Sequence, residues 1–197
     1  MNQLMRIRYF VVSSVLAICL TSSDGSEPKG RIAISDKLRQ AISRVHAKAE
    51  VIERKDVSVR NCDPVPESPG LIRADFNGDG LTDYAALLRI RGTEKQVLEE
   101  NKTWTLVEVR LVVFLGQRGG EFTNVELERL SEVIPILTVI EIQRPGPIRE
   151  YAEIEHEKRK VIQIEKMSIM KIGCGRSAVV FTWDDSWKRF RMITVSD

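Results

Sequence analysis

Histidine is nearly absent from this 197-residue chain, which holds only His46 and His156. Both lie among charged neighbours, so neither offers the base that serine or cysteine catalysis needs, and no second histidine or cysteine stands at metal-ligand spacing from either. No excess of one charge exists: 30 basic residues face 28 acidic ones. No basic stripe with interleaved aromatics occurs, which speaks against nucleic acid as a partner. Apolar runs are short. The longest, from Phe10 to Leu20, is about half the roughly 20 residues that a membrane-spanning helix requires.

That run follows Arg6 and Arg8 and precedes the polar TSSDGSEP, the layout of a secretory signal peptide. Residues 1–23 are therefore expected to be a cleaved leader, with Thr21 and Ser23 as the small residues before the cut, and 24–33 a linker. Ile18 stands before Cys19, where bacterial lipoprotein signals carry a small residue, which argues against a lipid anchor. Losing the leader removes two basic residues and no acid, which leaves the remainder neutral. The expected localisation is periplasmic or secreted, with no membrane span after processing. One compact domain, 34–197, accounts for the rest.

Of three cysteines, Cys19 leaves with the leader. Cys62 and Cys174 remain in a compartment that would be oxidising, and a disulfide between them is expected. Two buried free thiols, or a metal site short of ligands, are the alternatives.

The segment Ile34–Ile52 sets Ile34, Leu38, Ile42, Val45 and Ala49 at helical spacing, with Ser35 or Asp36 available as N-cap. CDPVPESPG, with three prolines and a glycine, reads as an extended loop. From Leu71 onward the period is close to two. Val107, Val109, Leu111, Val113 and Leu115 share one face of a long strand, and Phe122–Leu127 should return as a hairpin after GQRGG. Val133–Ile142 is another apolar run, in which Pro135 points to an edge position or the start of a strand; RPGPIRE reads as a turn, and Val161–Ile172 alternates at first. Ala178–Trp183 and Phe190–Val195 flank a DDSWK turn. EYAEIEHEKRK reads as a solvated charge cluster. The fold class expected is α+β: mainly antiparallel β-sheet with an N-terminal amphipathic helix packed on it.

One stretch is chosen for chemistry. In ADFNGDGLTDY, Asp75, Asn77 and Asp79 hold the first, third and fifth places of a hard-cation loop, Gly80 the sixth, the Leu81 carbonyl the seventh and Asp83 the ninth. An EF-hand is rejected, because Ala86 occupies its twelfth place, where a bidentate glutamate belongs, and because the flanks read as strand. Asn-Gly and Asp-Gly also favour hairpin turns with no metal at all. The stretch resembles the calcium loop of FG-GAP and VCBS-type repeats, D-x-N-G-D-G-x-x-D between strands, over about fifteen residues and in a single copy. A propeller needs repeats, so that architecture is not implied. Carried over position by position, the resemblance implies a structural Ca2+ held by Asp75, Asn77, Asp79, the Leu81 carbonyl and Asp83. A wider likeness is to single-copy secreted bacterial proteins; it rests on FNGDGLTDYAALL, LVVFLG and WDDSWKRFRMITVSD and implies class and localisation, not activity.

The expected function is an exported, non-enzymatic domain with a structural calcium-binding loop, serving as a binding or interaction module of the cell envelope with an unidentified macromolecular partner. Trp104, Trp183, Trp187 and Phe190 could line its surface, although strand aromatics more often lie in the core. Acting as an inhibitor or assembly partner is a variant of this reading. A metal-assisted hydrolase acting on an envelope substrate is the enzymatic alternative.

Overall fold

A computed structural model describes residues 32–151, 160–175 and 178–195. The expected leader, most of the linker, and residues 152–159 of the charge cluster, His156 among them, lie outside the described residues. One short helix, α1 (Asp36–Val45), is followed by strands β1 (Ala49–Val51), β2 (Leu71–Ala74), β3 (Asp83–Ile90), β4 (Lys95–Glu99), β5 (Lys102–Gly116), β6 (Phe122–Val133), β7 (Thr138–Gln143), β8 (Gly146–Arg149), β9 (Val161–Ile164), β10 (Ser168–Gly173), β11 (Ala178–Asp184) and β12 (Arg189–Val195). Every ladder between these strands is antiparallel.

The long strand β5 organises the first sheet. β6 runs along one edge of it, from Leu106 opposite Val133 to Gly116 opposite Phe122, with a bulge between Leu111 and Val112. On the other edge β3 pairs with residues 109–114 and β4 with residues 102–106. β1 and β2 both pair with β3. A second sheet has the order β12-β11-β10-β7, and β8 and β9 form a small ribbon.

Alternation along β5 assigns its two faces to two cores. Val107, Val109, Leu111, Val113 and Leu115 join Ile140, Ile169 and Phe181 of the second sheet in the larger core. Val112 and Phe114 point the other way, where Leu38, Ala41 and Ile42 of α1 cover them together with Ala86, Leu88 and Ile90. β3 is therefore apolar on both faces. Each large side chain buried in this way contributes about 1.5–3 kcal/mol.

Several expectations are corrected. The helix is ten residues long and ends at Val45, not near Ile52. Ser35 caps it by accepting from the Leu38 N–H at 3.2 Å, and His46 leaves in an extended conformation. Ala49–Val51 keep helical spacing in the sequence, but β3 offers them a ladder, and Ile52 continues it by donating to the Leu87 carbonyl at 3.0 Å. The apolar run Val133–Ile142 holds the last residue of β6 and, after Pro135, most of β7. Gly146–Arg149, read as part of a turn, pairs with β9. Val161–Ile172 divides into β9 and β10. β4 was not anticipated, since KQVLE buries nothing and so carries no apolar period.

Cys62 and Cys174 are bonded, with Cα atoms 4.9 Å apart across 112 residues of sequence. Such a bridge is at home in an oxidising compartment. No helix among the described residues is long and apolar enough to cross a membrane.

Candidate functional site

The loop 75–82 joins β2 to β3, whose register sets Ala74 opposite Asp83. Its flanks are strands, as the motif requires. Gly78 and Gly80 have φ of 76° and 82°, a region that other residues enter only with strain, so the chain can curl around its own acidic side chains.

Asp75 organises the inside of the curl. Its Oδ1 accepts from the N–H groups of Gly78 at 2.7 Å and Asp79 at 3.2 Å, and its Oδ2 from Gly80 at 2.8 Å. Asn77 Oδ1 accepts from the Asp79 N–H at 3.0 Å, while its Nδ2 donates to Asp79 Oδ2 at 2.9 Å. Asp79 Oδ1 accepts from the Leu81 N–H at 2.8 Å. These bonds satisfy backbone donors that a tight loop cannot place in a ladder.

Asp83 is different in kind, because it is fully buried, with 0% of its surface exposed. Its Oδ2 accepts from the Phe76 N–H at 2.9 Å and its Oδ1 from the Gly116 N–H at 2.8 Å, which clamps the loop to the end of β5. Gly116 must be glycine, since a Cβ there would collide with the Thr82 carbonyl oxygen. Phe76, directly after Asp75, is wholly buried in the larger core and anchors the other side of the clamp. Burial pushes the Asp83 carboxyl above its ordinary value, against the pull of its backbone donors, and the charge of Asp79 adds to the rise. No basic side chain bonds to it among the described residues.

Lys166 closes the outer side. Its Nζ donates to the Asn77 carbonyl at 2.7 Å and pairs with Asp185 Oδ2 at 2.6 Å, which ties the loop to the β9–β10 and β11–β12 connections. The Lys166 ammonium, through that hydrogen bond, holds the Asp185 carboxyl below its usual value. Sequence reading missed Lys166, Asp185 and Gly116, which no local pattern links to residues 75–83. Lys166→Ala is expected to cost about 1 kcal/mol in urea unfolding, mainly for the lost bond to the Asn77 carbonyl, since the pair with Asp185 is open to solvent. Unchanged stability would mean that the loop holds its shape without this strut.

The donor set suits a hard cation: three carboxylates, an amide oxygen and a carbonyl, with no soft ligand among them. Each side-chain oxygen of Asp75, Asn77, Asp79 and Asp83 also accepts a protein hydrogen bond, and among the described residues no three acidic, histidine or cysteine side chains converge as a metal-holding group. An ionised carboxylate oxygen keeps acceptor capacity after one N–H bond. The buried Asp83 charge, offset by backbone N–H groups alone, is the feature that a cation would complete.

The aromatics expected at the surface divide. Trp183 and Phe190 stack edge to face at 5.2 Å against the larger core, whereas Trp104 and Trp187 are 40% and 71% exposed. His46 is half-buried, and its Nδ1 accepts from the Lys48 N–H at 3.1 Å. A second charged cluster, also missed from sequence, joins Arg89 to Glu50 and Asp56, with Arg91 on Glu50. The Arg91 hydrogen bond holds the Glu50 carboxyl below its usual value, with burial opposing and Arg89 assisting.

No protein-family model, curated protein or solved structure matches this chain.

Proposed function

We propose that the chain is an exported, non-enzymatic interaction domain of the cell envelope, in which the 75–83 loop takes a structural Ca2+ and another surface engages a macromolecular partner. The observation that carries the ionic part is Asp83, a fully buried carboxylate at the ninth place of an oxygen-donor loop, without a basic partner among the described residues. The resemblance to FG-GAP and VCBS-type loops points the same way.

Asp75, Asn77, Asp79, the Leu81 carbonyl and Asp83 would hold the ion. Its contribution is charge neutralisation rather than reaction chemistry. The chain's own residues do the rest: Asp75 gathers the loop amides, Asp83 fastens the loop to β5, and Lys166 braces it from outside. On this reading α1 is the amphipathic N-terminal element that closes the outer face of the first sheet. The non-enzymatic part is supported by the Cys62 and Cys174 sulfurs, committed to a bridge, and by His46, whose Nδ1 is taken up by a backbone N–H.

Thermal melting in chelator and in calcium tests the reading. At about tenfold excess over the dissociation constant the gain is about 1.4 kcal/mol, which raises Tm by roughly 3–6 °C for a domain of this size. Magnesium should give less, because it holds its water and demands octahedral geometry. Asn77→Ala should abolish the calcium increment while leaving the melt in chelator nearly unchanged. No shift between chelator and about 10 mM calcium, well above the usual range for extracellular modules, would remove the ion from the reading.

A further inference from the structure

β4 and the first residues of β5 form a two-stranded arm beyond the point where β6 begins to pair at Leu106. All five residues of β4 are exposed, as are Lys102, Thr103 and Trp104. Glu100 and Asn101, with φ of 48° and 62°, make the two-residue turn at its tip. The arm has no core of its own, and a lone hairpin is marginal in water. Among the described residues β4 pairs only with β5, and on that count its outer edge presents unpaired N–H and C=O groups. The exposed side chains include Val97 and Trp104, directly opposite each other, and Leu98 at 74% exposure on the other face.

The residues on that edge are self-complementary. β4 reads Lys95-Gln96-Val97-Leu98-Glu99. An antiparallel copy centred on Val97 sets Lys95 against Glu99 of the second copy, and Glu99 against its Lys95. No shift by one or two residues pairs opposite charges within the strand. The hydrogen-bonding phase also agrees. In a two-residue hairpin the residues flanking the turn form a hydrogen-bonded pair, here Glu99 and Lys102, so Val97 and Trp104 form the next one and the outward-facing groups belong to Gln96 and Leu98. Centring on Val97 makes Gln96 and Leu98 of the two copies the bonded pairs. It leaves Val97 with Val97, and Lys95 with Glu99, as non-bonded pairs, whose side chains lie closer. On one face a Trp104–Val97–Val97–Trp104 row then crosses four strands.

We propose that the β4 edge is a self-association surface, through which two copies of this chain join about a twofold axis by antiparallel β4–β4 pairing. The symmetry is isologous, so each charge pair occurs twice. Edge charges ordinarily discourage pairing; on this strand they favour the register centred on Val97. The interface is small, and the expected dimer is weak and salt-sensitive.

Analytical ultracentrifugation of the protein across a concentration series tests the pairing, with circular dichroism confirming that each variant is folded. The native chain should show a reversible monomer–dimer equilibrium. Lys95→Glu and Glu99→Lys should each weaken dimerisation about tenfold or more, because both attractive pairs become repulsive. An equimolar mixture of the two variants should dimerise again, since one edge is then wholly acidic and the other wholly basic, and the double variant K95E/E99K should recover native affinity. A chain that stays monomeric to several hundred micromolar, a dimer indifferent to both single changes, or variants not rescued by mixing would overturn the proposal.

Discussion

Replacing both Cys62 and Cys174 with alanine will lower the free energy of unfolding by about 2–5 kcal/mol, the usual cost of losing a native bridge from a domain of modest size. The bonded residues stand 112 apart in sequence, so the bridge closes a long loop in the unfolded chain, for which the chain-entropy limit is about 4.7 kcal/mol. Native contacts point the same way. Cys62 is buried within the larger core, and its N–H donates to the Ser58 carbonyl at 3.0 Å; the Cys174 N–H donates to the Leu137 carbonyl at 2.8 Å. The bridge thus staples the irregular segment after β1 to the end of β10, two pieces that no strand ladder among the described residues connects directly. Alanine suits the test better than serine, whose hydroxyl would need a partner in that core. Urea unfolding of native, reduced and double-alanine protein should rank the last two together and well below the first. A loss under about 1 kcal/mol would mean that the bridge constrains little that folding does not already constrain.

Asp83→Ala should cost roughly 2–6 kcal/mol, because it strands two backbone donors, the N–H groups of Phe76 and Gly116, in a dry environment at about 1–3 kcal/mol each. Removing the buried charge returns part of that, which places the effect in the lower half of the range. Asp83→Asn should cost less, since its amide oxygen still serves one of the two donors. The pH dependence has a definite sign. Burial raises the Asp83 carboxyl in the folded chain, so the folded state binds its proton more readily than the unfolded state. Asp83 therefore makes stability fall as pH rises through the window above the ordinary value of 3.8, and Asp83→Asn should remove that slope. Melts in chelator from pH 3.5 to 7 would show it. A variant as stable as the native chain would mean that the clamp to β5 is dispensable.

How much of this was legible beforehand depended on the range of each interaction. The five residues of β5 that line the larger core could be read from alternation alone, because a pleated strand sorts residues by parity. The hairpin setting of 75–83 followed from glycine placement, since only positive φ lets Asp75 reach three loop amides. The end of α1 was not legible: Ala49 and Ile52 keep helical spacing, and the ladder with β3 is what makes them extended. β4 was invisible for the opposite reason, being a strand that buries nothing.

The sequence by itself determined the antiparallel character of the chain, the acidic loop and its oxygen donors, and the cysteines available for a bridge, because each follows from residue identity over a few positions. Tertiary structure alone decided that Asp83 is a buried clamp rather than one more loop acid, that Lys166 and Asp185 brace the loop from another sheet, and that Lys95 and Glu99 lie along an open edge. Those outcomes depend on which distant segments pack together, and burial, with its desolvation, does not exist until they do.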